Sequence, residues 1–335
     1  RSKKNSPTLI KIKRMKKAQF FYLLRRGFFA GGGGEWSTLV NAFKTRVIAD
    51  GGTLESESCI RDDVKYLIQN PEPVPTPAFT GLLNDYSGAA AAYSLRLLDN
   101  TYRGDAIVVR RASDNTTQAI GFVNNELDTT SLESFCSGTD GFVTTWYDQS
   151  GNGNDAANVT AVTQPKIVSS GSTILENGKA AIEFNVNWLT TSYPLPSVFS
   201  AFNVAKTNFA NTFETIIGSE LTFNDWIWHL FRSSKFQLRP DSGSYYSGAT
   251  LNAQKYLINS IYNGDLNAYI DGNSYISQSS VALPSPSGNL QIGTTQSNVS
   301  YSFNGILQEI ILYDSDQSTN RAGIETNIND HYSIY

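Results

Sequence analysis

At 335 residues, with 40% hydrophobic and 17% charged side chains, the chain is long enough for one large β domain and a smaller module, and its wealth of Gly, Ser, Thr, Asn and Tyr favours short strands joined by polar turns. The net charge of −4 conceals an asymmetry, because residues 1–26 hold ten Lys/Arg and no acid, which leaves −14 on the remainder. No apolar run approaches the roughly 20 residues that a membrane span needs, so a spanning segment is not expected.

Residues 1–34 read as a basic extended arm. Lys11, Lys13, Arg14, Lys16, Lys17, Arg25 and Arg26 are its anchoring charges, suited to an acidic subunit surface, nucleic acid or anionic lipid. The competing reading is a solvated tail. The arm ends in four glycines at 31–34, which set no preferred backbone conformation and make a flexible hinge. Met15 is the only methionine, which leaves open a start there or processing from a longer product. A secretory leader is not expected, since the apolar stretch is short and no small-residue cleavage site follows it.

Residues 35–70 form a small anchoring module, with a strand at 45–49 and a helix over 55–69 whose apolar Cys59, Ile60, Val64, Leu67 and Ile68 recur at three- and four-residue spacings. Residues 71–81 are a Pro-rich linker, stiff because alternate prolines fix φ and withhold amide donors. Residues 82–335 are the main domain. An Ala-rich helix is expected over 85–100, then strands at 106–110, 142–146, 180–184, 198–205, 256–262, 266–270, 290–292 and 306–313, punctuated by Gly, Asn, Asp, Ser and Pro. A closing helix over 320–332 places Ile324, Ile328 and Tyr332 on one face. Regularly spaced short strands predict an all-β, two-sheet sandwich.

Four stretches are specific enough to carry a family likeness: Ala-Tyr-Ser-Leu-Arg-Leu-Leu-Asp at 92–99, Val-Arg-Arg-Ala-Ser-Asp-Asn-Thr-Thr-Gln-Ala-Ile-Gly at 109–121, Ser-Phe-Cys-Ser-Gly at 134–138 and Trp-Tyr-Asp-Gln-Ser-Gly-Asn-Gly-Asn-Asp-Ala at 146–156. In that order they resemble the catalytic domain of fungal α-L-arabinofuranosidase B. Tyr-Ile-Asp-Gly at 269–272, Phe-Asn-Gly at 303–305 and Glu-Ile-Ile-Leu-Tyr at 309–313 are similar to laminin-G-like members of the concanavalin-like superfamily. Together these likenesses imply a concanavalin-like jelly roll. The segment 43–70 resembles short modules of bacteriophage structural proteins.

The resemblance also states what catalysis requires: two carboxyl groups about 5 Å apart, one a nucleophile and one an acid. Thr294 or Thr295 stands where the resembled family keeps its acid, and no glutamate falls at 225–228, where its nucleophile is expected. Asp225, Glu214 and Glu220 are the nearby carboxylates, and no catalytic residue is assigned. Asp148, Asn152 and Asp155 gather hard oxygen atoms that suit calcium, against the reading of a turn whose Asp and Asn bond the local backbone. Otherwise no cofactor is expected. His229 and His331, the only histidines, read as packed or surface groups. Trp188, Tyr245, Tyr246 and Asp241 are candidates for a sugar site, with Trp226 and Trp228 read as core.

The leading expectation is therefore a non-catalytic structural or appendage protein of a phage virion, at the virion surface or extracellular. It would be a homo-oligomer joined to other assembly subunits through residues 1–70, with the sandwich turned toward host-surface glycans. The alternatives are a secreted carbohydrate-binding module and a divergent α-L-arabinofuranosidase.

Overall fold

A computed structural model describes residues 79–335 apart from 195, 209–212, 220–225, 240–245, 283–287 and 295–300, and describes the backbone alone of Ser219, Trp226, Ile227, Trp228, Leu230 and Arg239. The arm, the 35–70 module and the proline linker lie outside the described residues, as does Cys59.

Leaving aside two-residue strands, the chain order begins with α1 (Leu82–Asp85), β1 (Ala91–Ser94), β2 (Ile107–Arg111), β3 (Thr117–Ile120), α2 (Thr129–Phe135), β4 (Gly141–Trp146), β5 (Lys166–Ser169), β6 (Ile182–Asn185), β7 (Leu189–Pro194) and β8 (Phe199–Thr207). It continues through β9 (Phe213–Ser219), β10 (Trp226–Arg232), β11 (Lys235–Arg239), β12 (Lys255–Tyr262), β13 (Leu266–Ile270), β14 (Asn273–Gln278), β15 (Asn289–Ile292), β16 (Asn304–Tyr313) and α3 (Arg321–Tyr332). The named strands pair antiparallel. One sheet is built around β16, which takes β8 along one edge and, on the other, β6 at its first half and β1 at its second. Beyond β8 follow β12, β13 and β14. The second sheet runs β11-β10-β9-β15-β7 and, through the short strand Ala156–Ala157, on to β4, β2 and β3. β5 pairs with β4 and β6 and so joins the two sheets along one side. This is the expected two-sheet jelly-roll sandwich.

The burial pattern explains why the strands read as they do. β12 is buried at every position and β8 at all but Lys206, because one face of each meets the opposite sheet and the other meets α3. A strand covered on both faces reads as a continuous apolar run. Between the sheets lie Trp146, Tyr93, Phe184, Phe303, Phe231 and Phe236. A second cluster on the outer face packs Phe202, Leu257, Ile311 and Tyr313 under Ile324, Ile328 and Tyr332 of α3, the four-residue stripe read from the sequence.

The Ala-rich segment corrects the sequence reading. Instead of a helix over 85–100 there is a single turn, α1, and then strand β1. Alanine favours a helix only weakly, and tertiary pairing overrides it. Ala91 and Ala92 have no exposed surface, are paired with Leu312 and Ile311 of β16, and leave room for Tyr93 to tilt against Trp146 with ring centroids 5.9 Å apart. Conversely, α2 has no counterpart in the sequence reading; it is started by Asp128, whose carboxylate accepts from the Ser131 amide at 3.0 Å.

Candidate active site

Glu214, near the start of β9, has no exposed surface. Its Oε2 accepts a hydrogen bond from the Thr207 hydroxyl at the end of β8, so the contact crosses from one sheet to the other. β9 is irregular: its register against β10 shifts between Thr215 and Ile217 and again between Ile217 and Gly218. Such bulges re-aim side chains out of the strict alternation of a strand. Phe213 stacks edge-on to Tyr301 with centroids 4.8 Å apart, and the Arg232 guanidinium lies 4.7 Å over the Phe213 ring.

The chain after β15 is drawn against the same strand. Gly293 donates its amide to the Ile216 carbonyl at 2.8 Å and accepts from the Phe303 amide at 2.8 Å, while Thr215 forms a one-residue parallel bridge with Ser302. This brings the Thr294 and Ser302 hydroxyls to 3.2 Å, both buried. Gly293 is obligatory at this place. Its φ is +89°, and a Cβ would stand 2.5 Å from Phe184 Cδ1 and 2.7 Å from the Asn187 carbonyl oxygen. The position that the family likeness assigns to an acid is thus held beside β9, with Thr294 there. Glu220, Asp225 and Thr295 lie outside the described residues.

The other site candidates are dispersed. Trp188 is half-buried just before β7, its amide donating to the Thr163 carbonyl at 3.1 Å and its carbonyl accepting from Asn158 Nδ2 at 2.8 Å. Tyr246 is half-buried and packed on the main core, so its ring is less open than its polar surroundings in sequence suggest. Tyr245 and Asp241 lie outside the described residues. Asp148, Asn152 and Asp155 do share one turn. There Asp148 accepts from the amides of Ala92, Ser150 and Asn154 and from the Ser150 hydroxyl, Asp155 accepts from the Asp148 amide, and Asn152 Nδ2 donates to the Ala89 and Ala90 carbonyls. The Asp148 and Asp155 oxygens named are thus engaged by N–H and O–H donors of the turn and of β1.

His229, read as a packed or surface group, is wholly buried between Asn203 Nδ2 and the Ser260 hydroxyl, and burial drives its pKa down to about 3. With the amide donating to Nδ1, the proton sits on Nε2, and the neutral ring is a structural link across the core. Cys136 is buried, which pushes its thiol up.

A jelly-roll sandwich with a carboxylate enclosed between its sheets is the class that these observations define. Within that class, residues 85–192 match the family described as alpha-L-arabinofuranosidase B, catalytic. An arabinofuranosidase solved in complex with arabinofuranosyl-alpha-1,2-xylobiose is similar at 16% identity and a TM-score of 0.54, over 72% of this chain and 62% of that one. A mutant GH54 α-L-arabinofuranosidase soaked with 4-nitrophenyl α-L-arabinofuranoside is similar at 15% identity and a TM-score of 0.57, over 74% and 64%. The chain therefore spans a little under two thirds of the length of these solved chains, and at such identities the likeness is one of fold. No curated protein sequence matches it.

These findings correct the leading expectation. A virion appendage was inferred from the basic arm and the missing paired carboxylates, but the family matched and the folds resembled are those of arabinofuranosidases, and the bacteriophage likeness of residues 43–70 gains no support from them.

Proposed function

We propose that the chain is a divergent α-L-arabinofuranosidase-type glycoside hydrolase with Glu214 as one of its two carboxylates. The observation that carries this reading is the placement of Glu214, buried in β9 with a hydroxyl donor aimed at it, beside the strapped segment that holds Thr294, in a domain of which residues 85–192 match the arabinofuranosidase B family. In this reading a Glu214 oxygen attacks the anomeric carbon and the glycosidic C–O bond breaks as a second carboxylic acid protonates the leaving oxygen. Water, deprotonated by the carboxylate which that acid has become, then attacks the anomeric carbon, the bond to Glu214 breaks and the sugar is released. Glu220 and Asp225 are the sequence's candidates for the second group. Glu214 has no exposed surface, so turnover should be slow.

Release of 4-nitrophenol from 4-nitrophenyl α-L-arabinofuranoside tests the proposal. Wild-type protein should turn over above background, and Glu214→Gln should lower the rate by about 10²–10⁴-fold. No turnover by folded wild-type protein, or equal turnover by the Gln variant, would remove Glu214 from the chemistry.

A further inference from the structure

Two separate routes tie Glu214 to the start of β16, and both begin in the Phe-Asn-Gly motif at 303–305. On one route Phe303 donates its amide to the Gly293 carbonyl at 2.8 Å, and Gly293 donates its own to the carbonyl of Ile216, two residues past Glu214 in β9. On the other, Gly305 pairs with Thr207, the last residue of β8, whose hydroxyl donates to Glu214 Oε2. The first route fixes the backbone of β9. The second reaches the carboxylate itself.

Alternation along β8 aims Thr207 at the opposite sheet. Ala201 and Ala205 lie in the core between the sheets, Asn203 touches His229 of β10, and Thr207, next in that series, touches Glu214 of β9. The end of β8 comes close enough because residue 305 has no side chain. A Cβ there would stand 2.0 Å from the Lys206 carbonyl oxygen and 2.8 Å from Phe303 Cζ, so it would push β8 away from β16. Gly305 cannot step aside, since it is paired on its other edge with Phe184 of β6. Neither Thr207 nor Glu214 has exposed surface, and a hydroxyl–carboxylate bond is stronger away from water.

We infer that Thr207 is a positioning residue for the Glu214 carboxylate, and that Gly305 sets where Thr207 stands. This role rests on the hydrolase reading of Glu214. A glutamate turns loosely about its last torsion, so a carboxylate without a donor presents its oxygens in many directions. A donor on Oε2 fixes the carboxylate plane and with it the direction of Oε1. Such alignment acts on the rate of the chemical step rather than on substrate affinity. The Asn203–His229 contact, four residues earlier on β8, crosses the same core without touching a carboxylate and is the purely structural counterpart.

The test is steady-state hydrolysis of 4-nitrophenyl α-L-arabinofuranoside by the full chain and its variants, with a melting temperature for each. Thr207→Val keeps the shape and removes the donor, so kcat should fall about ten- to a hundredfold while KM stays within about twofold of wild type. Thr207→Ala should repeat that loss without setting a methyl group against the carboxylate, and Thr207→Ser, which restores the donor, should recover most of kcat. Gly305→Ala should lower kcat although Thr207 is intact. Asn208→Ala, an exposed change one residue beyond, should match wild type. Wild-type kcat in Thr207→Val or Thr207→Ala, a serine variant as slow as these two, or a change in KM alone would take the positioning role from Thr207 and leave that of Glu214 standing. Absence of turnover by folded wild-type protein would remove both.

Discussion

Arg96 grips Glu309 with two parallel hydrogen bonds, Nε to Oε2 at 2.8 Å and Nη2 to Oε1 at 2.9 Å, in the interior. Ser94 and Tyr332 hydroxyls also donate to Oε2, and the remaining guanidinium nitrogen reaches Asn327 Oδ1 at 2.9 Å, so one ion pair ties β1, β16 and α3. Removing one partner leaves a buried charge uncompensated, and Glu309→Gln should cost about 3–5 kcal/mol in urea unfolding. The double variant Arg96→Met/Glu309→Leu should recover most of that loss. If Glu309→Gln unfolds at the wild-type midpoint, the pair has no structural weight.

Acid should weaken the fold well above the carboxylate range. Burial, with the charge of Arg96, pulls His331 down to about 4 despite Glu309 and Glu126, and burial pulls His229 to about 3. Unfolded histidine titrates near 6.5. Between that value and about 4 the unfolded chain takes up protons that the native chain refuses, so stability is complete above about 6.5 and is lost as pH falls. Glu309 adds a later loss: burial opposes its ionisation, but Arg96 and its hydrogen bonds outweigh burial and hold it below the usual carboxylate range. Melting temperature should fall by at least about 5 °C from pH 7 to pH 4, and His331→Gln should flatten the slope; a flat wild-type profile would contradict the assignment.

The turn at Asp148 predicts a contrast between charge and metal. Four donors on one carboxylate make charge-assisted bonds, and Asp148→Asn, which loses acceptor strength, should destabilise by about 2–4 kcal/mol. Calcium or EDTA should leave the melting temperature of the wild type unchanged. A rise with calcium would instead support a cation at Asp148, Asn152 and Asp155.

Gly293→Ala tests the strap beside β9. With a left-handed backbone and two neighbours inside 3 Å of the new methyl group, the variant should lose about 2–4 kcal/mol and, if it folds, should turn over 4-nitrophenyl α-L-arabinofuranoside more slowly than wild type. An alanine variant as stable as wild type would show that the segment shifts freely.

Much of the sandwich was legible. The runs at 256–262 and 266–270 became β12 and β13 nearly to the residue, because an apolar run ended by Asn-Gly-Asp leaves few choices. Ile324, Ile328 and Tyr332 identified the buried face of α3 for the same reason. Ala91 and Ala92 misled because their partner strand is more than 200 residues away, beyond the reach of local propensity. The candidate site was legible only in part. Glu214 could be named as a nearby carboxylate, but its hydrogen bond from Thr207 depends on two strands facing across the core.

The seating of β1 on β16 sets an order for biosynthesis. Ser94 and its partner Glu309 are 215 residues apart, which at ribosomal speeds of about 5–20 residues per second is a wait of roughly 10–40 s. Throughout that wait the nascent strand has no place to pair, and β8, made earlier, lacks one of its two neighbours. Halves of this domain cannot mature in turn. Truncation ahead of Asn304 removes the spine of one sheet and leaves a chain with exposed strand edges, the state that chaperones hold and proteases clear.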